Sequence, residues 1–398
     1  MNRTVAAVLI VLVIVVLGLA YVFKGRPIPL NTPAPAKGVA APAKAATPAP
    51  KNHGPEDIDA AVKKAVEWLK EEQNADGGWG LHGHPSDPGI TGLVIKGLVA
   101  CGVRPEDNPW LQKAVDMLLG YQHEDGSFYL KSLQSYVTAI AVTALAAIDR
   151  KKYAPQIEKA KEYLLSIQFK PGGPRTKEKW YVGGITYNDE QKPPNLSTTV
   201  YALEALRAAG VPKDSQAYKL ALKFISRCQN RSESNDIPLD VLLTNDGGFF
   251  YMPGDTRGEV VKNPDGTRTL RSYGSMTYAG LLGMLYCYAT MDDPRVKSAL
   301  EWVQKHYTFD HNPGMPKPRQ GHYYYLQTIA KVIDTAGMKE LPDGKPIMKD
   351  LLATILRFQK PEGFWVNEDE ARWWEGDPII PTAHMLVALG HIKHLMQR

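Results

Sequence analysis

The sequence predicts an all-α protein: an α/α toroid of six outer–inner helix hairpins in two concentric rings, following an N-terminal hydrophobic helix. Three observations carry that expectation. A joint of fixed composition recurs six times at a spacing near fifty residues. Amphipathic, charged helices alternate with helices that are apolar nearly all round, and only the latter must be buried on every side. Strand signals are almost absent, the exception being Glu259 to Arg271 (EVVKNPDGTRTLR), which reads as a hairpin around Asn263-Pro264-Asp265-Gly266.

The elements follow in chain order. Residues 1–26 form a membrane anchor or signal segment. Val5 to Phe23 carries no charge and, at about 1.5 Å per residue, just spans a bilayer core of roughly 30 Å. A cleaved signal peptide is the rival, with Gly18-Leu19-Ala20 as a weak cleavage site. The length of the run favours an anchor, so the membrane is an expected partner through this helix. Short basic N-tails usually stay inside, which places the body outside the cytoplasm, on the periplasmic side. Residues 27–54, rich in Pro and Ala, read as a semi-rigid spacer. Residues 55–398 form the toroid.

Charge excludes one function class. Of 47 Lys and Arg, six lie in residues 1–54 with no acid beside them, leaving 41 against 42 Asp and Glu in the rest. The body is close to neutral, and no nucleic-acid partner is expected. Three scattered cysteines without a CxxC indicate neither a disulfide framework nor a zinc ribbon.

The first joint is the most complete: EEQNADGGWG, Glu71 to Gly80. Trp68 and Leu69 precede Gln73, and Gly77, Gly78 and Trp79 follow. The frame returns at Gln122 with EDGSF, at Gln168 with Gly183-Gly184, at Gln229 with NDGGFF, and at Gln359 with PEGFW. A degenerate copy has Tyr307 in place of Gln. Before the first Gln, Ile58, Val62, Ala65, Val66 and Leu69 fall at helical spacing among Lys and Glu. After each turn comes an apolar helix: Gly89 to Cys101, Tyr136 to Ile148, Leu196 to Ala208, Ser275 to Tyr288, His322 to Asp334 and Pro381 to Ile392. Gln can donate and accept at once, so it can bridge helix ends, and the glycines permit the reversal. These joint residues are structural rather than catalytic.

The pattern aromatic-Leu-x3-Gln-x3-Gly-x-Trp, met by Trp68 to Trp79, resembles the QW repeat of squalene–hopene cyclases, and the six-hairpin order is similar to protein prenyltransferase β subunits. The resemblance covers residues 55–398 and is nearest to squalene-cyclase C-terminal-like repeat proteins (prenyltransferase and squalene oxidase repeat, or terpenoid cyclase toroid). GSMTYAGL (Gly274 to Leu281) and QGHYYYLQTIAK (Gln320 to Lys331) look characteristic of that group. It implies a hydrophobic or polyprenyl ligand inside the inner ring. A cyclase needs a clustered carboxyl acid, Asp-x-Asp-Asp-Thr, at an inner-helix start. The matching stretch here is Asn195-Leu196-Ser197-Thr198-Thr199, with amide and hydroxyl at every acidic position. The zinc ligands of prenyltransferases would fall near Tyr273, Ser275 and Gln327, so no metal and no cofactor are expected. A complement-like thioester run is also absent.

A hydroxyl-rich, aromatic rim remains. The ligand-lining candidates are Asn195, Thr198, Tyr273, Ser275, Tyr278, His322, Tyr323, Tyr324, Gln327 and Lys331. Tyr324, Gln327, Thr328 and Lys331 share one helix face. A Tyr beside a Lys is an acid–base pair of the kind polysaccharide lyases use, set against tyrosines that simply pack between helices. Weaker candidates are His82, His84 and Asp87 as a metal loop, and Trp373-Trp374 as a sugar or lipid platform. The expected function is a membrane-anchored, cyclase-like toroid binding a lipid or polyprenyl ligand. If active, it would be a squalene cyclase- or prenyltransferase-like transferase or isomerase. The alternative is a non-catalytic scaffold for a protein or glycan.

Overall fold

The computed structural model describes residues 53–398, except 175, 189–191 and 238–240. The anchor or signal segment (1–26) and nearly all of the spacer (27–54) lie outside the described residues. Among the described residues, twelve α-helices alternate between two layers. The outer helices are α1 (Pro55–Glu71), α3 (Pro109–Leu119), α5 (Ala154–Ile167), α7 (Gln216–Ser226), α9 (Pro294–Lys305) and α11 (Ile347–Phe358). The inner helices are α2 (Pro88–Ala100), α4 (Gln134–Asp149), α6 (Leu196–Ala208), α8 (Gly274–Tyr286), α10 (His322–Ala336) and α12 (Ile379–Gln397). Each inner helix packs on the next, and α12 packs on α2, closing the inner ring. The expected toroid is therefore what the chain adopts. Among the described residues, no helix is long and apolar enough to cross a membrane.

The joints show why the ring closes. Gln73 donates its amide to Gly77 O (2.7 Å) in its own turn and to Trp110 O (2.9 Å) in the first turn of the next outer helix. Gln122 does the same to Gly126 and Gln156, Gln168 to Gly183 and Ala217, and Gln229 to Gly247 and Arg295. Gln359 completes the circle, bonding Gly363 O (2.9 Å) and Ala61 O (2.8 Å) in α1. Each bridge ties a turn to the neighbouring outer helix, a contribution of about 1 kcal/mol per bond. At the degenerate joint Tyr307 reaches across instead, donating its hydroxyl to Asp350 Oδ2 (2.8 Å) in the first turn of α11.

The glycine of the turn lies against the neighbouring outer helix. At Gly183 (φ +96°) a Cβ would sit 1.9 Å from Leu220 O, so no side chain fits. The indoles of Trp79 and Trp365 donate to Leu69 O and Ile355 O, both at 2.8 Å, sealing the end of the preceding outer helix. A threonine in the first turn of the inner helix, not anticipated from the sequence, holds the other side. Thr91, Thr138, Thr199, Thr277 and Thr382 accept the backbone N–H of Trp79, Phe128, Ile185, Phe249 and Trp365 at 2.8–3.1 Å. Tyr325 occupies that position in α10 and bonds Thr308 O (2.8 Å).

The expected hairpin is present as β2 (Val260–Lys262) antiparallel to β3 (Arg268–Leu270). A further strand, β1 (Val241–Leu242), pairs in parallel with β3. It is too short to have shown a period-2 pattern.

Candidate functional site

Side chains from non-adjacent inner helices meet across the ring axis, in two layers. The deeper layer is ionic. Lys96 on α2, Glu204 on α6 and Lys331 on α10 come from alternate helices at similar depth. Glu204 accepts from Lys96 Nζ through Oε1 (2.8 Å) and from Lys331 Nζ through Oε2 (2.6 Å). Lys96 is 6% exposed and Lys331 2%. Burial pushes the Glu204 carboxyl up, but the two ammonium groups more than reverse that and hold it at about 2. Burial brings the Lys331 ammonium down to about 8 against the pull of Glu204. Both lysines lie over the Tyr201 ring, 5.5 and 5.0 Å from its centroid.

The layer nearer the inner-helix starts is aromatic. The rings of Tyr136 and Tyr201 are 4.4 Å apart, and Tyr201 stacks on Tyr324 at 6.4 Å. Tyr324 Oη hydrogen-bonds Ser197 Oγ (3.1 Å), and its ring is edge-on to His384 at 6.2 Å. Burial raises every one of these phenols, Tyr324 to about 12, so they are neutral. Burial, with both lysines nearby, pushes His384 down to about 3, so it is uncharged. From the connections between α5 and α6 and between α7 and α8, Tyr187 and Tyr251 pair hydroxyl to hydroxyl (3.0 Å), and Tyr187 packs on Tyr136 at 6.1 Å.

The structure divides the predicted residues. Tyr324, Gln327 and Lys331 share the inward face of α10. Asn195 caps α6, accepting from Thr198 N (2.9 Å), and Ser275 is held by Asn312. Thr198 Oγ1 is buried without a partner among the described residues. Tyr273 is buried near Tyr251 and Tyr324. Tyr278 packs edge-on against Tyr325 at 5.6 Å. His322 and Tyr323 face away from this cluster. The Phe309 carbonyl can only accept (2.7 Å) and the Arg319 guanidinium can only donate (3.2 Å). His322 therefore carries its proton on Nε2. Burial holds this imidazole at about 4. Tyr323 donates to Val366 O (3.0 Å).

Glu375 was not singled out from the sequence. It accepts from the N–H groups of His322 (2.8 Å) and Tyr324 (2.9 Å) and from Asn367 Nδ2 (2.9 Å). It thus caps α10, whose own cap Gly321 has no side chain to offer. Burial pushes its carboxyl up to about 7 in spite of those donors.

The weaker candidates disperse. Asp87 caps α2 through Gly89 N (2.8 Å), while His82 pairs with Glu72 (2.7 Å). No group of three potential metal ligands converges among the described residues. Trp373 and Trp374, both at positive φ, are 43% and 55% exposed, and the repeat aromatic of that joint is Trp365 instead.

Lys96 and Glu204 were missed because each was read as part of an apolar helix. Their signal was available: Lys96 is the sole charge in GITGLVIKGLVAC, and a buried charge requires a partner.

Residues 83–237 match the squalene-hopene cyclase C-terminal domain. Among curated relatives, squalene–hopene cyclase of Bradyrhizobium diazoefficiens is 27% identical over 45% of this chain and 30% of its own length. That of Zymomonas mobilis is 27% identical over 50% and 33%. The chain thus spans about a third of the length of these relatives. In fold, it is similar to the type II terpene cyclase MstE from Scytonema, solved with geranylgeranyl dihydroxybenzoate (substrate). The TM-score is 0.55 and identity 15%, covering 86% of this chain and 99% of that one. A sugar epimerase from a ruminal bacterium has TM-score 0.56 at 10% identity, covering 85% and 98%.

Proposed function

We propose that this chain, a toroid protein of the squalene-cyclase C-terminal-like kind, binds an isoprenoid or similar hydrophobic ligand in its inner ring and does not cyclise it. The observation that carries the reading is the wall of Tyr136, Tyr201 and Tyr324, neutral phenols whose faces meet across the ring axis. Such faces take apolar chains. The solved relative that holds a geranylgeranyl compound lends support.

Alkene protonation needs a strong, protonated acid. Glu204 is ionised and paired on both oxygens, and Glu375 is engaged by N–H donors. At the start of α6, Asn195 serves as a cap and Ser197 bonds a tyrosine. The test is to incubate the full-length chain with squalene and with geranylgeraniol, and to analyse both by native and gas-chromatographic mass spectrometry. Bound but unchanged ligand is expected. A cyclised product would overturn the non-cyclising reading, and no binding would overturn the whole.

The hydrophobic run at Val5 to Phe23 acts, in this proposal, as an anchor holding the body on the periplasmic side. Proteolysis of intact spheroplasts tests it, since a protected body would refute that side. The exposed pair Trp373 and Trp374 favours a second reading, a platform for a glycan or protein partner.

A further inference from the structure

The ionic layer carries an imbalance. Two lysines share one carboxylate, leaving one positive charge inside the ring. Each ammonium has three N–H donors, and Glu204 takes one from each. Neither lysine has another acceptor among the described residues, apart from the face of Tyr201. Around them lie three side chains, each more than nine-tenths buried, with unmatched polar atoms. Gln327 Oε1 and His384 Nδ1 have no hydrogen-bond partner among the described residues. Tyr201 Oη lies near the Tyr136 hydroxyl and the Gln327 amide, without acceptable hydrogen-bond geometry to either.

Buried polar groups are normally satisfied, and a cluster of exceptions beside an uncompensated charge requires an explanation. The triad joins three helices and still has one positive charge to spare. It offers spare donors of a single sign. What completes the donors of the two lysines, Tyr201 and His384 is a small anionic acceptor; Gln327 Oε1, itself an acceptor, stands outside that set. A neutral hydrocarbon end would leave the ammonium groups as unsatisfied as before.

We propose that the ring recognises an amphipathic ligand bearing a carboxylate, which the Lys96–Lys331 pair binds with donors from Tyr201 and His384 while its apolar chain lies along the tyrosine wall. The inference rests on the reading that the ring holds a hydrophobic ligand, and it adds the headgroup.

The test compares geranylgeranoic acid with geranylgeraniol, which share one chain and differ in the head. Native mass spectrometry of the full-length chain, released from mild detergent, counts bound ligand at matched concentrations. The acid is expected to bind about ten- to a hundredfold more tightly, the worth of a charge-assisted hydrogen bond or two. Lys96→Met leaves Glu204 paired with Lys331 and no net charge, so the preference should fall to near parity while alcohol binding persists. Lys96→Met with Glu204→Gln leaves Lys331 as the one ionisable group of the triad, with the ligand carboxylate replacing Glu204 as its counter-ion, so the preference should return. The double variant also guards against a single variant that misfolds, and circular-dichroism melting checks all three proteins. Equal binding of acid and alcohol to the unaltered chain overturns the headgroup while sparing the hydrophobic ligand. So does a preference that survives Lys96→Met and is unmoved in the double variant. Binding of neither probe overturns both.

Discussion

Replacing Glu204 with Gln should destabilise the toroid strongly at neutral pH and weakly in alkali. The carboxyl falls from 4.5 to about 2 on folding. At about 1.4 kcal/mol per unit, that is on the order of 3 kcal/mol of native-state interaction. Removing one partner of a buried ionic group costs about 3–5 kcal/mol, because the opposite charges are left uncompensated. The two figures agree. For a body of this size, about 3 kcal/mol corresponds to a melting temperature lower by about 4 °C.

The pH arm fixes the cause. In the native chain Lys331 titrates at about 8, down from 10.5. Between those values the unfolded chain binds the proton and the native one does not, so this group makes stability rise with pH there. Orphaned beside Lys96 in the variant, Lys331 sheds its proton more easily still, and the penalty shrinks. Calorimetric melts at pH 6.5 and pH 9.5 read both effects. A gap under about 1 °C at pH 6.5, or one undiminished at pH 9.5, would refute the reasoning. Glu204 likewise makes stability rise with pH, but in an acid window. Its contribution is complete above the unfolded value of 4.5 and is lost as pH falls towards 2.

Three further outcomes are expected. Gln359→Ala removes both bonds of the closing joint and should cost about 2–3 kcal/mol in urea titrations, whereas Tyr307→Phe removes one bond at the degenerate joint and should cost about 1 kcal/mol. Gly183→Ala should abolish soluble expression or cost well over 3 kcal/mol. Gly83→Ala, also at positive φ but with nothing within 4 Å of the new Cβ, should cost only about 1 kcal/mol. A uniform response at the two glycines would show that backbone strain alone decides. Finally, the preference for the isoprenoid acid over the alcohol should decline as pH rises past about 8, where Lys331 loses its charge among the neutral Tyr136, Tyr201, Tyr324 and His384. A flat profile from pH 6.5 to 9.5 would exclude a role for its charge.

The toroid was legible because each joint repeats a local necessity. A turn tied to the next outer helix needs a donor that reaches both, a reversal against a neighbouring backbone needs glycine, and Gln with Gly at fixed spacing meets both. The threonines were visible in GIT, YVT, STT, SMT and IPT, but a first-turn hydroxyl has many ordinary uses, so the pattern carried no warning. The site was half legible. The α10 face placed Tyr324, Gln327 and Lys331 together because helical periodicity fixes neighbours within one element. Which residues meet across the axis depends on how far each helix slides along its neighbours. No local pattern records that, so Glu204 and Lys96 stayed hidden, and His322 was assigned to an interior it does not face.

The bridge from Gln359 to Ala61 has a consequence for how the protein can fail. In an open array of repeats, each unit leans only on its neighbours, and the array can fray from its ends. Here the last unit leans on the first, and Lys393 also pairs with Asp59 (2.5 Å). No terminal unit is expendable, and losing any one opens two seams at once. The body should therefore melt in a single cooperative step and should not tolerate trimming by a whole hairpin. With its two ends side by side, it should accept a new start at another turn once the old ones are joined.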